Sequence, residues 1–257
     1  MAGGALAGRV AVVTGGARGI GAAIAAALAA EGALLVIGDK DGAAAESAAG
    51  RLPRARGLRA DVSVPADAEA LAAAAVDAFG RLDILVNNAG VGIVKAFMDT
   101  TPADIELATR VNVIGTLLCS QAALRRMIPA GYGRVINVTS ISGQRGSADR
   151  TAYGGSKAAV ELMTRVMVAE LAQPGLTINA VAPGPIETEM SAALHDAETR
   201  RAYHERTPQG RYGTVAEVAA AVAFLASEAA GYVCGQVLNV DGGFASLGFN
   251  KRTRSHA

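Results

Sequence analysis

Tryptophan is absent from this chain of 257 residues, and aromatic side chains make up only 4 % of it. A core here has to be built from Ala, Val, Leu and Ile, small residues that let helices and sheet approach closely. Cysteine is scarce too. Cys119 and Cys234 stand in no CxxC and near no histidine at ligand spacing, so neither a disulfide framework nor a metal site is indicated. They read as two buried thiols in a reducing compartment. An excess of one charge is also missing, because 24 basic and 23 acidic side chains leave a formal net charge of +1. That excludes the basic footprint of a nucleic-acid binder. The one small cluster, Lys251, Arg252 and Arg254, reads as a solvated tail. Met1–Gly8 has no charged start followed by an apolar run, so no signal peptide is expected. The Ala-rich stretches are interrupted by Glu31, Asp77 or glycine, so none reads as a membrane span. The expected setting is the cytoplasm, with neither nucleic acid nor membrane as partner.

What is present is apolar side chain, 51 % of the residues, and it is patterned. No Pro/Ser-rich linker or charge block divides the chain, so residues 1–257 are read as one domain. Short apolar runs occur at Val10–Val13, Leu34–Ile37, Ile84–Val86, Val135–Val138, Ile178–Val181 and Val237–Val240. Most are continuous rather than alternating, as strands buried on both faces require. Between them lie helical patterns at Ile20–Ala30, Ala66–Phe79, Ala103–Ile128, Ala152–Ala172 and Val215–Ala226. Thr101-Pro102 is a capping hydroxyl followed by a proline at the first helical position. Thr214 with Glu217 makes a capping box, and Gly32 and Gly80 stand where left-handed caps are wanted. Strand–helix alternation from end to end predicts an α/β fold. Its form is a doubly wound parallel sheet with helices on both faces. Ligands in such sheets bind beyond the carboxyl ends of the strands.

The residues after the first strand fit that rule. Val13 runs into Thr14-Gly15-Gly16-Ala17-Arg18-Gly19-Ile20-Gly21, and a helix follows. A glycine turn at a helix N-terminus presents backbone N–H groups and a partial positive charge to a pyrophosphate. The spacing Gly-x-x-x-Gly-x-Gly is a variant of the Rossmann dinucleotide device, with Gly15, Arg18, Gly19 and Ile20 as its contact positions. The second strand ends at Asp39, whose carboxylate suits both ribose hydroxyls of an adenosine and repels a 2′-phosphate. That favours NAD. Arg18 and Lys40 are nearby cations that suit a 2′-phosphate, so NADP stays open. Asp61-Val62 ends the third segment, and Asp61 can accept from the adenine amino group. Asn87-Asn88-Ala89-Gly90 ends the fourth; Asn87 reads as structural, and Asn88 as structural or cofactor-facing in equal measure.

The fifth strand leads to Ser140. Tyr153 follows it, with Lys157 one helical turn later on the same face. Taking hydride from a secondary alcohol also requires taking its hydroxyl proton. A phenol with a pKa of about 10 is a poor base at neutral pH. A neighbouring ammonium lowers that value, so Lys157 is expected to favour the phenolate of Tyr153. The Ser140 hydroxyl is expected to hold the substrate oxygen beside it, and in reduction Tyr153 donates the proton.

Together these motifs and Pro183-Gly184 resemble the short-chain dehydrogenase/reductase family in its compact one-domain form, from about Leu6 to Gly243. The resemblance implies further assignments. Asn112, in Arg110-Val111-Asn112-Val113, would be a fourth catalytic residue, bending its helix and holding a relay water. Lys157 would grip the nicotinamide ribose. Pro183, Gly184, Ile186 and Thr188 would meet the nicotinamide, through the Ile186 backbone and the Thr188 hydroxyl. Residues 187–212 would form a mobile substrate lid, Asp241-Gly242-Gly243 the family's usual ending, and the assembly would be a homotetramer. Gly154-Gly155 depart from the commoner Ala or Ser. The expected reaction interconverts a polyol, sugar or hydroxy acid with its carbonyl. The alternatives are an NADP-dependent 3-oxoacyl-thioester reductase, which Asp39 argues against, and a non-catalytic nicotinamide-binding sensor, which the intact Ser140, Tyr153 and Lys157 argue against. Specificity is expected from the loop Ile141–Thr151 and the lid, with Arg145, Arg150, His195 and His204 read as solvated and neither histidine as catalytic.

Overall fold

The computed structural model describes residues 4–247; the basic cluster Lys251, Arg252 and Arg254 lies outside them. Seven parallel strands run in the order β3-β2-β1-β4-β5-β6-β7. They are β1 (Val10–Thr14), β2 (Leu34–Asp39), β3 (Ala55–Arg59), β4 (Ile84–Asn87), β5 (Gly133–Val138), β6 (Leu176–Pro183) and β7 (Val237–Val240). Every residue of β1, β5 and β6 is buried, as their continuous apolar runs predicted. Two core clusters face opposite sides. One joins the sheet to α1 (Gly19–Ala30), α2 (Gly42–Gly50) and α9 (Val215–Ala226), through Ile24, Leu28, Ala45, Val222 and Leu225. The other joins it to α3 (Pro65–Phe79), α5 (Gly115–Ala130) and α6 (Thr151–Leu171), through Leu71, Ala75, Leu124, Met127 and Met167. This is the doubly wound Rossmann architecture expected from the alternation.

The helix ends follow their capping chemistry. Thr101 and Thr214 each close a capping box, with Asp104 and Glu217. Gly32 and Gly80 take φ of +91° and +81°. Two elements escaped the apolar pattern. The edge strand β3 reads Ala-Arg-Gly-Leu-Arg, because an edge needs no continuous apolar run. The nine-residue α2 is nearly all Ala and Gly and rests on an Asp41 cap.

The helix expected as one piece over Ala103–Ile128 is three. α4 (Pro102–Ala108) passes into a wide π-helical turn, Thr109–Ile114, before α5 begins. Inside that turn the Asn112 side chain leaves the helix to bond elsewhere, and the Thr116 hydroxyl donates back to the Asn112 carbonyl at 2.7 Å. Gly115 is required just beyond it, since a Cβ there would lie 2.6 Å from Val62 Cγ2. The run Pro102–Ala130 is long and apolar enough to cross a membrane by length and composition, but half its most apolar window is buried inside the protein, as in a core helix.

Between β6 and α9 lie α7 (Glu189–Leu194) and α8 (Ala197–Arg206), which cover the carboxyl edge of the sheet. The amino edge is tied by Asp83. Its buried carboxylate accepts from the Val10 N–H at 2.9 Å and pairs with Arg9 and Arg81. Asp83→Ala leaves that N–H buried without an acceptor, at a cost of about 2 kcal/mol. The loss is expected as a lower urea midpoint with unchanged cofactor affinity.

Candidate active site

A cavity of about 680 Å³ opens at the carboxyl ends of β1, β2, β4, β5 and β6. Every residue assigned from the sequence lines it except Asn112. Its two ends differ in chemistry.

At one end the chain turns tightly from β1 into α1. Gly15 and Gly19 have φ of +60° and +55°. A Cβ on Gly21 would lie 2.1 Å from the Gly15 carbonyl oxygen, so the first turn of α1 sits directly on the strand end. At Gly19 a Cβ would meet no atom within 4 Å, because that backbone borders the cavity. A glycine-walled helix N-terminus facing open space fits the pyrophosphate of a dinucleotide. Asn88 braces the turn by donating to the Thr14 and Gly15 carbonyls at 3.0 and 2.9 Å, so its amide donors serve the protein. Asn87 is structural as expected, donating to Ser120 and Asn137 at 2.9 Å.

Asp39 accepts from the Ala17 and Asp41 N–H groups at 3.2 and 3.1 Å. Both nearby cations already face carboxylates: Arg18 pairs with Asp41 at 3.0 Å and Lys40 with Asp61 at 3.3 Å. Bonds from Ser63 chiefly, and from Lys40, hold the Asp61 carboxyl below its ordinary pKa despite its burial. Two carboxylates, Asp39 and Asp61, and two cations, Arg18 and Lys40, line this end, with Asp41 pairing Arg18 from outside the cavity.

At the other end, Ser140 lies two residues past β5 and Tyr153 and Lys157 lie on the first turns of α6. The Ser140 Oγ accepts from the Ser142 N–H at 3.2 Å, and the hydroxyl acts to lower the pKa of the Tyr153 phenol. The Lys157 ammonium donates to the Val138 carbonyl at 2.8 Å and sits 5.8 Å from the Tyr153 ring centre. Burial pushes the Lys157 pKa down to about 8. The expectation that Lys157 would lower the phenol is corrected. Burial dominates and raises the Tyr153 pKa, and the groups that oppose it are Ser140 and the Arg150 guanidinium.

Asn112 stands behind this end, fully buried. Its amide accepts from the Val91 N–H at 2.8 Å and donates to the Val91 carbonyl and to Ser156 Oγ at 3.1 and 2.8 Å. Ser156 in turn donates to the Tyr153 carbonyl at 2.7 Å. Asn112 thus fastens the strand-end loop to the helix that carries Tyr153. Thr188 caps α7 by accepting from the Ser191 N–H, which leaves its hydroxyl proton for another acceptor. Ile186 is held by the Glu187 N–H to Gly213 carbonyl bond at 2.9 Å, and a Cβ on Gly184 would lie 2.7 Å from Asp241 Cα.

Sequence reasoning missed part of the substrate end. His195 and Arg150 are not solvated: both are half-buried cavity residues, bonded to each other at 3.1 Å. Arg150 also lies 5.8 Å from the Tyr153 ring centre. Leu107, Val111, Met190, Leu194 and Tyr203 complete the wall. Of the polar loop residues, Gln144 and Arg145 point elsewhere, to Asn239 and to the Leu247 carbonyl. His204 is exposed.

With this geometry, similarity to known proteins is decisive. The sequence model of a family described as enoyl-(acyl carrier protein) reductase matches residues 15–245. The cis-4-hydroxycyclohexanecarboxylate dehydrogenase of Sinomonas cyclohexanicum is 43 % identical over 95 % of this chain and 99 % of its own. The chain belongs to the short-chain dehydrogenase/reductase family. Its relatives are oxidoreductases acting on CH–OH groups and their carbonyls. A 3-oxoacyl-[acyl-carrier-protein] reductase of Aquifex aeolicus is 39 % identical over 93 % of this chain and 98 % of its own. Among solved structures, a gluconate 5-dehydrogenase from Burkholderia cenocepacia, in complex with NADP and tartrate, superposes with a TM-score of 0.90 at 37 % identity, covering 95 % of this chain and 97 % of that one.

The buried ammonium gives a pH signature. Folding holds the Lys157 pKa near 8 against 10.5 for a solvated lysine, so the unfolded chain binds more protons between those values. The penalty is present in full below about pH 8 and fades as pH rises to 10.5. The stability of the native sequence relative to Lys157→Met is expected to rise by up to about 3 kcal/mol across that window. Thermal melts at pH 7 and pH 10 measure it, and a flat difference refutes the burial argument.

Proposed function

We propose that this protein is an NAD-dependent dehydrogenase that interconverts a secondary alcohol and its carbonyl, with Tyr153 as acid/base. The observation that carries the reading is that Ser140, Tyr153 and Lys157 line one cavity together with the glycine turn at Gly15 and Gly19. A nicotinamide ring bound beside Tyr153 supplies the hydride acceptor or donor.

The side chains divide the remaining work. The Ser140 hydroxyl holds the substrate oxygen next to the phenol. In reduction Tyr153, kept protonated by burial, donates to the forming alkoxide. In oxidation it accepts the hydroxyl proton, a step favoured by the Arg150 charge. Lys157 spends one N–H on the Val138 carbonyl and has two left for the nicotinamide ribose. Asn112 is a positioning residue for this helix, and its carbonyl, which accepts from the Thr116 hydroxyl, would hold the relay water. The Ile186 backbone and Thr188 hydroxyl would hold the carboxamide, beside Pro183 and Gly184.

NAD rather than NADP is supported by Asp39 at the end of β2, with Arg18 and Lys40 paired to Asp41 and Asp61. The NADP of the Burkholderia structure belongs to that protein. Apolar side chains exposed on the two long helices, Leu117 on α5 with Leu162 and Val166 on α6, support the homotetramer. Sedimentation as a monomer removes that reading. Two unpaired thiols suit the cytoplasm.

The test is reduced-nicotinamide absorbance with NAD and NADP against polyols, aldonates, cyclic hydroxy acids and hydroxyacyl thioesters. Turnover with NAD is expected, lost at least a thousandfold in Tyr153→Phe with NAD binding kept. Retained activity in that variant removes Tyr153 from the chemistry. Turnover confined to thioesters with NADP favours the acyl-thioester reading. Asp39→Ala should shift preference toward NADP at least tenfold, and an unchanged ratio of kcat/KM values takes Asp39 out of the cofactor argument.

A further inference from the structure

The cation beside Tyr153 has no anion of its own. Arg150 ends the loop before α6, where Asp149 holds a left-handed φ of +63° and gives its carbonyl to the Lys95 N–H at 3.0 Å. The guanidinium, half-buried, reaches into the cavity and donates to His195 Nε2 at 3.1 Å. A guanidinium only donates, so that nitrogen is the acceptor and the ring proton sits on Nδ1. From there it is donated to the Tyr212 hydroxyl at 3.0 Å. Burial, then Arg150 and Arg200, lower the His195 pKa, so the ring stays neutral near pH 7.

A neutral imidazole orients Arg150 without cancelling its charge. The carboxylates around it are committed or distant. Glu187 pairs with Arg200, Asp196 caps α8 at the Thr199 N–H, and Glu189 lines the cavity outside ion-pair distance. Among the described residues no carboxylate pairs with Arg150. A partly desolvated guanidinium aimed into a cavity calls for an anion, and a planar carboxylate matches its two parallel N–H groups. The same cavity has an apolar lining from Leu107, Val111, Met190 and Leu194.

We infer that Arg150, oriented by His195, binds a carboxylate of the substrate, and that the substrate is a hydroxy acid whose carbinol and carboxylate are joined by a compact apolar body. The proposal rests on the dehydrogenase reading above and narrows its substrate. Polyols lack the anion that Arg150 wants. Acyl thioesters lack it at the reacting end. Bound carboxylate fixes the carbinol against Ser140 and Tyr153 while the apolar body lies on Leu107 and Leu194.

Calorimetry of the NAD-saturated protein with cyclohexanecarboxylate and with cyclohexanecarboxamide tests this without turnover. The carboxylate is expected to bind at least tenfold tighter, and Arg150→Gln to bring the two together. Equal affinity in the native protein overturns the inference, and that comparison needs no variant to fold. In kinetics with 4-hydroxycyclohexanecarboxylate and its carboxamide, Arg150→Gln should raise KM at least tenfold for the acid and leave that of the amide unchanged. An equal loss on both assigns Arg150 to Tyr153 alone and also overturns it. Arg150→Lys is expected to fall between, keeping the charge without the fork. Absence of turnover with any alcohol is the separate failure of the dehydrogenase reading, and the binding comparison then still decides whether Arg150 holds a carboxylate.

Discussion

The parallel direction of all seven strands is the constraint from which the site follows. Parallel neighbours cannot be joined by hairpins, so each connection crosses back over the sheet as a helix, and every strand ends at the same edge. Between β1 and β4 the connections diverge to opposite faces, and the strand order β3-β2-β1-β4-β5-β6-β7 opens a crevice there. Residues distant in the chain then meet because each follows the carboxyl end of a strand: the glycine turn after β1, Asp39 at the end of β2, Asn88 after β4, Ser140 after β5 and Gly184 after β6. Charges at the opposite edge have a different task. Asp83 there satisfies a backbone N–H and two arginines.

Electrostatics divides the crevice. The end beside the glycine turn holds Asp39 and Asp61 with Arg18 and Lys40, the cations paired to Asp41 and Asp61. The chemical end holds Lys157 and Arg150 with no carboxylate pairing to either among the described residues. Burial works on the ionisable groups in opposite senses, raising the phenol of Tyr153 and lowering the ammonium of Lys157 to about 8. The protein alone therefore favours the neutral phenol, with the Ser140 hydroxyl and the Arg150 guanidinium working against that burial. That balance suits an enzyme that must both give and take a proton at one atom.

Much of this was legible from residue order. The strands announced themselves because burial on both faces demands unbroken apolar runs. The two capping boxes and the glycine turn are local devices whose hydrogen bonds span only a few residues. β3 was not legible as an apolar run because an edge strand tolerates Arg56 and Arg59. The π-helical turn was hidden because Thr109–Ile114 has an ordinary helical composition. Its cause is the bonding of Asn112 to Val91 and Ser156, far away in sequence.

Sequence by itself determined the alternation of strand and helix, the glycine turn after β1, and the placing of Tyr153 and Lys157 on one face of a helix, because each is encoded in spacing along one segment. Tertiary structure decided what those groups experience. The burial that raises Tyr153, the pairing of Arg18 and Lys40 with neighbouring carboxylates, and the contact that holds Arg150 against His195 in the cavity wall are all properties of packing. Desolvation and through-space charge depend on which segments meet, and Arg150 and His195 are 45 positions apart before the fold brings them to 3.1 Å.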